Sequence, residues 1–304
     1  MNAVRAIPAI HRATTLLRIA SAWPQFPSHI QLERVTGVAV DSRGLVYVAH
    51  RGENPLLCLS GDGRLLREVG ANVHRKSVAE NLMGSIPIPM ESRYWLHGLH
   101  VDPWDNVWVT DVGRHLIFKF DRDGKLVMTL GEDGRHGCSD RLFYQPTHAC
   151  VVPSGDIFVA DGYGTSRVIK FDARGARILE WGRRGIAPGE FHTPHVITCG
   201  PDGLLYISDR ENDRIQVFDQ MGKLQAEWPG LHSVDGLHAA ADGRVYGAAG
   251  LDNAIIEYDR QGRTIQVWAA LNVFQYPHGI TVDSAGNIFS AEIAGNRVLK
   301  LVRD

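Results

Sequence analysis

One phrase, repeated six times, constrains this chain more than any other feature. Blade-like units of four short strands, rich in Val, Ile, Leu, Phe and Tyr, are separated by Asp and Gly turns. The fourth copy is the plainest. Val196-Ile197-Thr198 leads to the turn Gly200-Pro201-Asp202-Gly203, then Leu204 to Asp209, a loop from Arg210 to Asp213, Arg214 to Asp219, and Lys223 to Trp228. The six first strands begin at Thr36-Gly37, His97-Gly98, Thr147-His148, His195-Val196, Asp235-Gly236 and His278-Gly279, between 40 and 61 residues apart. That period fits one four-stranded β-propeller blade per copy. Alternation within the strands predicts that one residue in two is buried between neighbouring blades.

The sixth copy stops after its third strand at Asp304. Its fourth strand is expected from Thr14-Thr15-Leu16-Leu17-Arg18-Ile19-Ala20, which is followed by Trp23 much as other fourth strands end in Trp181 and Trp228. Joining the two ends in one blade removes the open edge of the ring. The expectation is therefore an all-β, six-bladed propeller forming a single domain over 1–304, with an N-terminal strand at about 14–22 completing blade six. Two insertions, Gly70 to Trp95 and Gly131 to Gln145, precede first strands and should lie on the face where those strands enter the channel. The first contains Ile86-Pro87-Ile88-Pro89, which should not continue a ladder.

Composition narrows the function classes. A net charge of -2 gives no electrostatic footprint for nucleic acid or an anionic membrane, and no apolar run reaches the length of a span. Met1 to Ile30 carries no signal-peptide pattern. Cys58, Cys138, Cys150 and Cys199 form no CxxC pair. Reduced thiols in a cytoplasmic protein are expected, without nucleic-acid or membrane partners.

The heads of the first strands are Thr36, His97, Thr147, His195, Asp235 and His278, so histidine recurs in blades two, four and six. In a ring of six, alternate blades are about 120° apart, and three imidazoles at one depth then converge on the axis. Such a set is a common zinc site with an open position. A single histidine at a strand head is more often a hydrogen-bonded channel residue, but three at one register are hard to ascribe to accident. His100, His148 and His238 are off this register and read as packed or supporting histidines, His148 being the one that reaches furthest toward the channel.

The repeats resemble the NHL family of six-bladed propellers from about Thr14 to Asp304. Three loops after second strands add to this: Ala49-His50-Arg51-Gly52-Glu53-Asn54, Ala160-Asp161-Gly162-Tyr163-Gly164-Thr165-Ser166-Arg167 and Ser208-Asp209-Arg210-Glu211-Asn212-Asp213-Arg214. With the three histidine phrases they resemble the catalytic core of peptidyl-α-hydroxyglycine α-amidating lyases. Those enzymes cleave the C–N bond of a hydroxyglycine, at the carbon bearing the hydroxyl, to give an amide and glyoxylate. The resemblance implies zinc ligands at His97, His195 and His278, a catalytic tyrosine at Tyr163 and active-site arginines at Arg51 and Arg210. It further implies that a metal-coordinated substrate hydroxyl loses its proton to Tyr163, with Arg51 favouring the phenolate and Arg210 holding a substrate carboxylate. The competing reading makes Tyr163 a loop cover and pairs Arg51 and Arg210 with Asp161 and Asp209. Asp111, Asp161 and Asp209 themselves read as structural acids that bond loop amides.

The chain departs from the family in three places. Gly279 stands where the family has an aspartate serving a structural calcium, so a calcium site is doubtful. Tyr276 replaces a methionine two residues before the third histidine. Tyr144 and Gly164 occupy the positions of a cysteine pair that braces the secreted animal enzymes. The expected function is a metal-dependent lyase of the amidating type, acting on a small-molecule or peptide-like substrate with a divalent metal, zinc. The alternatives are another metal-assisted lyase or hydrolase, including one acting on a cyclic ester, and a non-enzymatic NHL binding scaffold.

Overall fold

Seven aspartates explain the punctuation. Asp41, Asp102, Asp121, Asp172, Asp219, Asp259 and Asp283 each use Oδ1 to accept the N–H groups two and four residues on, at 2.8–3.0 Å. Each carboxylate thus closes a tight turn and delivers the chain antiparallel to the strand it has left. The computed structural model of the chain describes residues 17–78, 82–83, 86–87, 92–229, 232–270 and 273–303, with only the backbone of 82–83 and 86–87.

Six four-stranded antiparallel sheets result, and consecutive strands are neighbours within each. Blade one comprises Gly37–Val40, Val46–Ala49, Leu56–Leu59 and Leu65–Glu68. Blade two comprises Leu96–Val101, Val107–Asp111, Leu116–Phe120 and Leu126–Leu130, and blade three His148–Val151, Ile157–Asp161, Arg167–Phe171 and Arg177–Trp181. Blade four follows with Pro194–Cys199, Leu205–Asp209, Arg214–Phe218 and Leu224–Pro229. Blade five has Val234–Ala239, Val245–Ala249, Ala254–Tyr258 and Thr264–Ala269. Blade six takes Pro277–Val282, Ile288–Glu292 and Arg297–Arg303 from the end of the chain, and Leu17–Ile19 from its beginning. Leu17 faces Arg303, Arg18 faces Val302 and Ile19 faces Leu301, so the ring closes as the repeat register requires. The Thr14–Leu16 part of the expected strand lies outside the described residues.

The burial pattern differs from simple alternation. Second strands such as Val107–Asp111 and Ile157–Asp161 are buried at every position, and alternation survives in outer strands such as Arg177–Trp181. The reason is that each blade is covered on both faces. Val107 and Val109 pack toward blade one with Tyr47 and Leu56, while Trp108 packs toward blade three with Val151 and Ile157. Six such clusters, one per blade interface, make the core. In the first insertion, Leu82–Met83 pairs with Ile86–Pro87, so Pro87 does sit in a ladder. It is tolerated because that ladder ends there after two residues; Ile88 and Pro89 lie outside the described residues.

Candidate functional site: a three-histidine tier on the propeller axis

Antiparallel pairing places the exit of each second strand beside the head of its first strand. Loops after second strands and residues at the heads of first strands therefore share one face, and the sequence-predicted residues meet there. His97, His195 and His278 are buried at 1%, 1% and 5% exposure. Their ring centroids are 4.7, 4.8 and 5.0 Å apart, with planes 81–85° to one another. One ligand atom from each lies within 4.8 Å of the other two.

The odd-numbered blades orient the histidines of the even-numbered ones. His97 Nδ1–H donates to Thr147 O at 2.8 Å, His195 to Asp235 O at 2.8 Å and His278 to Thr36 O at 2.7 Å. Each acceptor is the head residue of the next blade. Two of these heads are tied in turn: Thr36 Oγ1 donates to Leu96 O at 3.0 Å and Thr147 Oγ1 to Pro194 O at 2.8 Å. With Nδ1–H committed, every Nε2 carries a lone pair. Burial, with like-charged neighbours, pulls His97 and His195 well below the ordinary imidazole range, and burial takes His278 down to about 3. All three are neutral near pH 7.

Tyr163 Oη sits 2.7 Å from His97 Nε2 and 2.8 Å from His195 Nε2. Its single proton can serve only one of the three lone pairs, and among the described residues His278 Nε2 has no donor. Three converging, proton-poor imidazole nitrogens are what a borderline divalent cation requires, so the residues fit a metal. Gly279, by contrast, has no side-chain oxygen to offer a hard cation. A Cβ there would stand 2.8 Å from Thr36 O and 3.0 Å from Gly37 Cα, so a larger residue would push apart the strands at the axis.

The two arginines have different surroundings. Arg210 NH1 lies 3.3 Å from Tyr163 Oη and 3.3 Å from Asp235 Oδ1, and NH2 meets Glu211 at 2.6 Å. Burial opposes its charge, but Tyr163, Asp235 and Glu211 hold its pKa well above the usual value. Burial pushes the Asp235 carboxyl up to about 6 against the pull of Arg210. Arg51 is 6% exposed and lies over the Trp95 ring, 4.8 Å from its centroid. Its Nε reaches Leu96 O at 3.5 Å, and among the described residues no carboxylate lies within 4.0 Å of it. Burial lowers its pKa to about 10, assisted by Arg34 and Arg93. Neither arginine pairs with Asp161 or Asp209, which instead bind Arg167 and Arg214. Burial pushes the Tyr163 phenol up to about 12 against Arg210 and Arg51.

The loop carrying Tyr163 is braced where the resemblance marks a cysteine pair. Gly164 N–H donates to Tyr144 O at 2.9 Å, and a Cβ on Gly164 would lie 2.2 Å from the Tyr144 ring. Glycine and an aromatic ring thus hold by contact. His100, His148 and His238 line a channel of about 440 Å³ on the other side of the histidine tier. His100 Nε2 accepts Val151 N–H at 3.1 Å and His148 Nε2 faces Leu99 O at 3.3 Å, so both are tied to backbone. Sequence reasoning passed over Asp235 as a partner for Arg210. It also grouped Asp111 with the structural acids, although Leu116 stands where third strands of other blades begin with Arg167, Arg214 and Arg297.

Comparison with known proteins agrees with this architecture. The NHL repeat model matches residues 143–171. The chain is 32% identical over 321 residues to peptidyl-alpha-hydroxyglycine alpha-amidating lyase 1 of Drosophila melanogaster, covering 93% of this chain and 59% of that protein. It thus spans about three fifths of the fly relative. A streptogramin B lyase structure superposes with a TM-score of 0.62 at 19% identity, over 95% of this chain and 86% of that one, a likeness of fold. NHL repeat-containing protein 3 of Homo sapiens is 30% identical over 315 residues, covering 94% of this chain and 84% of that protein. With its six blades closed by an N-terminal strand, the chain belongs to the NHL-repeat family of propellers.

Proposed function

We propose that the chain is a metal-dependent lyase of the amidating type, which splits an N-acyl-α-hydroxyglycine into a carboxamide and glyoxylate. The observation that carries this reading is the meeting of three neutral imidazoles and one phenol on the axis, beside a buried guanidinium with no carboxylate in contact among the described residues. His97, His195 and His278 would hold the divalent cation, zinc by donor type, which supplies Lewis acidity toward substrate oxygen. The similarity to the fly amidating lyase supports the substrate class.

The chain's own residues divide the remaining work. Arg51 is the open cation over Trp95 and takes the substrate carboxylate as a fork-shaped donor. Arg210 is already neutralised by Asp235 and Glu211, and it anchors the Tyr163 oxygen. This exchanges the two arginine roles expected from sequence. The Tyr163 oxygen has both a proton and a lone pair, so it can receive the hydroxyl proton while returning one to the departing nitrogen. As the C–N bond breaks, the O–H bond is lost, a C=O bond forms and an N–H bond is made, so no proton is gained or lost overall.

The test has two arms. Elemental analysis of protein purified without chelator should find close to one equivalent of a divalent metal. The loaded protein should then release glyoxylate from an N-acyl-α-hydroxyglycine well above the uncatalysed rate. Metal without glyoxylate release would leave a different metal-assisted reaction, and neither would leave a binding scaffold.

A further inference from the structure

In blades three, four and six, the acid that ends the second strand faces the arginine that begins the third. Asp161 is in register with Arg167, Asp209 with Arg214 and Glu292 with Arg297. The pairs close at 3.0, 2.7 and 2.6 Å. Blade two breaks the pattern, because Asp111 faces Leu116. The nearby Arg114 directs its guanidinium to Asp133 and to Val73 O instead. Asp111 is 1% exposed; Oδ1 accepts Arg114 N–H at 3.1 Å, the Gly113 N–H and the Arg114 charge also favour the carboxylate, and Oδ2 itself has no hydrogen-bond partner among the described residues.

Other unpaired groups gather on the same loop, residues 111–115. Gln145 is fully buried, its N–H donates to His115 Nδ1 at 3.1 Å, and among the described residues neither Oε1 nor Nε2 has a partner. Ser77 Oγ is likewise unpaired among the described residues, and it lies 2.5 Å from where a Cβ on Gly113 would stand, with Trp95 Cδ1 at 2.6 Å. Val112 of this loop packs with Trp95 and Tyr163 in one buried cluster. Arg51 lies over that same Trp95 ring, and the Asp111 carboxylate is close enough to favour its charge. Leaving such groups without partners is costly, and native chains retain them where something else completes the bonding.

The chemistry of the vacancies defines a ligand. Asp111 Oδ2 and Gln145 Oε1 need an N–H, and Gln145 Nε2 needs a carbonyl. A secondary amide supplies one of each, its N–H for Asp111 Oδ2 and its carbonyl for Gln145 Nε2. We propose that Asp111 and Gln145, with Ser77, form a subsite for the amide group of a carboxylate-bearing substrate whose anionic end lies on Arg51. This inference rests on the amidating reading and adds the residues that select an N-acyl over an O-acyl compound. An ester in place of the amide would leave Asp111 Oδ2 unpaired, and sites built for a hydrogen bond reject such analogues strongly.

N-acetylglycine and acetoxyacetate differ only by N–H against O and need no turnover, so calorimetric titration of the metal-loaded protein with each is the test. The wild-type chain should bind the amide at least ~10-fold more tightly. In Asp111→Leu and Gln145→Leu the preference should fall to roughly 2-fold or less, with metal content unchanged. Thermal unfolding adds a second readout: Asp111→Leu should keep or raise the parental Tm, whereas Asp161→Leu, which takes from Arg167 its fully buried acid partner and leaves only the half-exposed Glu180, should lower it. Asp111→Asn covers the case in which the leucine variant does not fold, and should also weaken the amide preference. A preference that survives in the variants, or a fall in Tm for Asp111→Leu matching that of Asp161→Leu, overturns the subsite. Equal binding of both probes by the wild type overturns the subsite alone, and binding of neither overturns the subsite and the amidating reading together.

Discussion

Arg210 and Arg51 are both buried beside Tyr163, and replacing each with methionine should separate their tasks. Arg210→Met leaves Asp235, 2% exposed, without its cation. Breaking a buried pair from one side costs about 3 kcal/mol, so Tm should fall by roughly 6 °C or more. Arg51→Met removes a charge that has no carboxylate in contact among the described residues and is crowded by Arg34 and Arg93, so Tm should stay near the parental value. Its effect should appear in kinetics, as a raised KM for substrates with a carboxylate. A Tm loss in Arg51→Met equal to that in Arg210→Met would contradict the division of roles. Tyr163→Phe keeps the ring that packs on Trp95 and Val112 and removes only the oxygen. Turnover should drop roughly 10²–10⁴-fold with metal content retained. A Phe variant with parental kcat on the true substrate would remove Tyr163 from the proton path.

Within single elements, the loop that carries Arg51 depends on a neutral histidine. His50 Nδ1 accepts Gly52 N–H at 3.1 Å, and Nε2–H faces Asn54 O at 3.0 Å. Burial lowers its pKa to about 4, against 6.5 for the free side chain. The unfolded chain therefore takes up this proton first as pH falls. The stability contributed by neutral His50 is present above pH ~6.5 and is lost progressively toward pH 4. His50→Gln should be less stable than the parent at pH 7.5, and the gap between them should narrow by pH 5; a constant gap in thermal melts would show that His50 does not carry the dependence. The blades and the histidine tier were legible in sequence because both follow from register, and register is a counting property. The fate of Arg51 and Arg210 was not, because Asp235 and Trp95 reach them across blades or around loops at distances that spacing does not encode. Asp111 lies between these cases. The Leu116 that leaves it unpaired could be read from the third strands, but only the burial of Asp111 makes the missing partner significant.

At the scale of the whole ring, the three imidazoles come from blades two, four and six, and their supporting carbonyls come from blades three, five and one. One ion on the axis would thus fasten all six blades to a common point, in addition to the strand that closes blade six. Anything that binds the folded chain alone stabilises it by RT ln(1 + [L]/Kd), about 2.7 kcal/mol at a hundredfold excess over Kd. Metal addition should therefore raise Tm by roughly 5 °C or more in a concentration-dependent way, and chelation should reverse it. His195→Ala removes one of the three proposed ligands while leaving Asp235 O to solvent or to a neighbouring donor. Its circular-dichroism spectrum should remain that of the β-propeller, but it should lose most of its metal and its Tm should no longer respond to added zinc. His238→Ala, on the far side of the tier, is the matched control and should keep the metal response. A His195→Ala protein with full metal occupancy and an unchanged zinc-dependent Tm would place the ion somewhere other than the three-histidine tier, and the proposed lyase chemistry would fall with it.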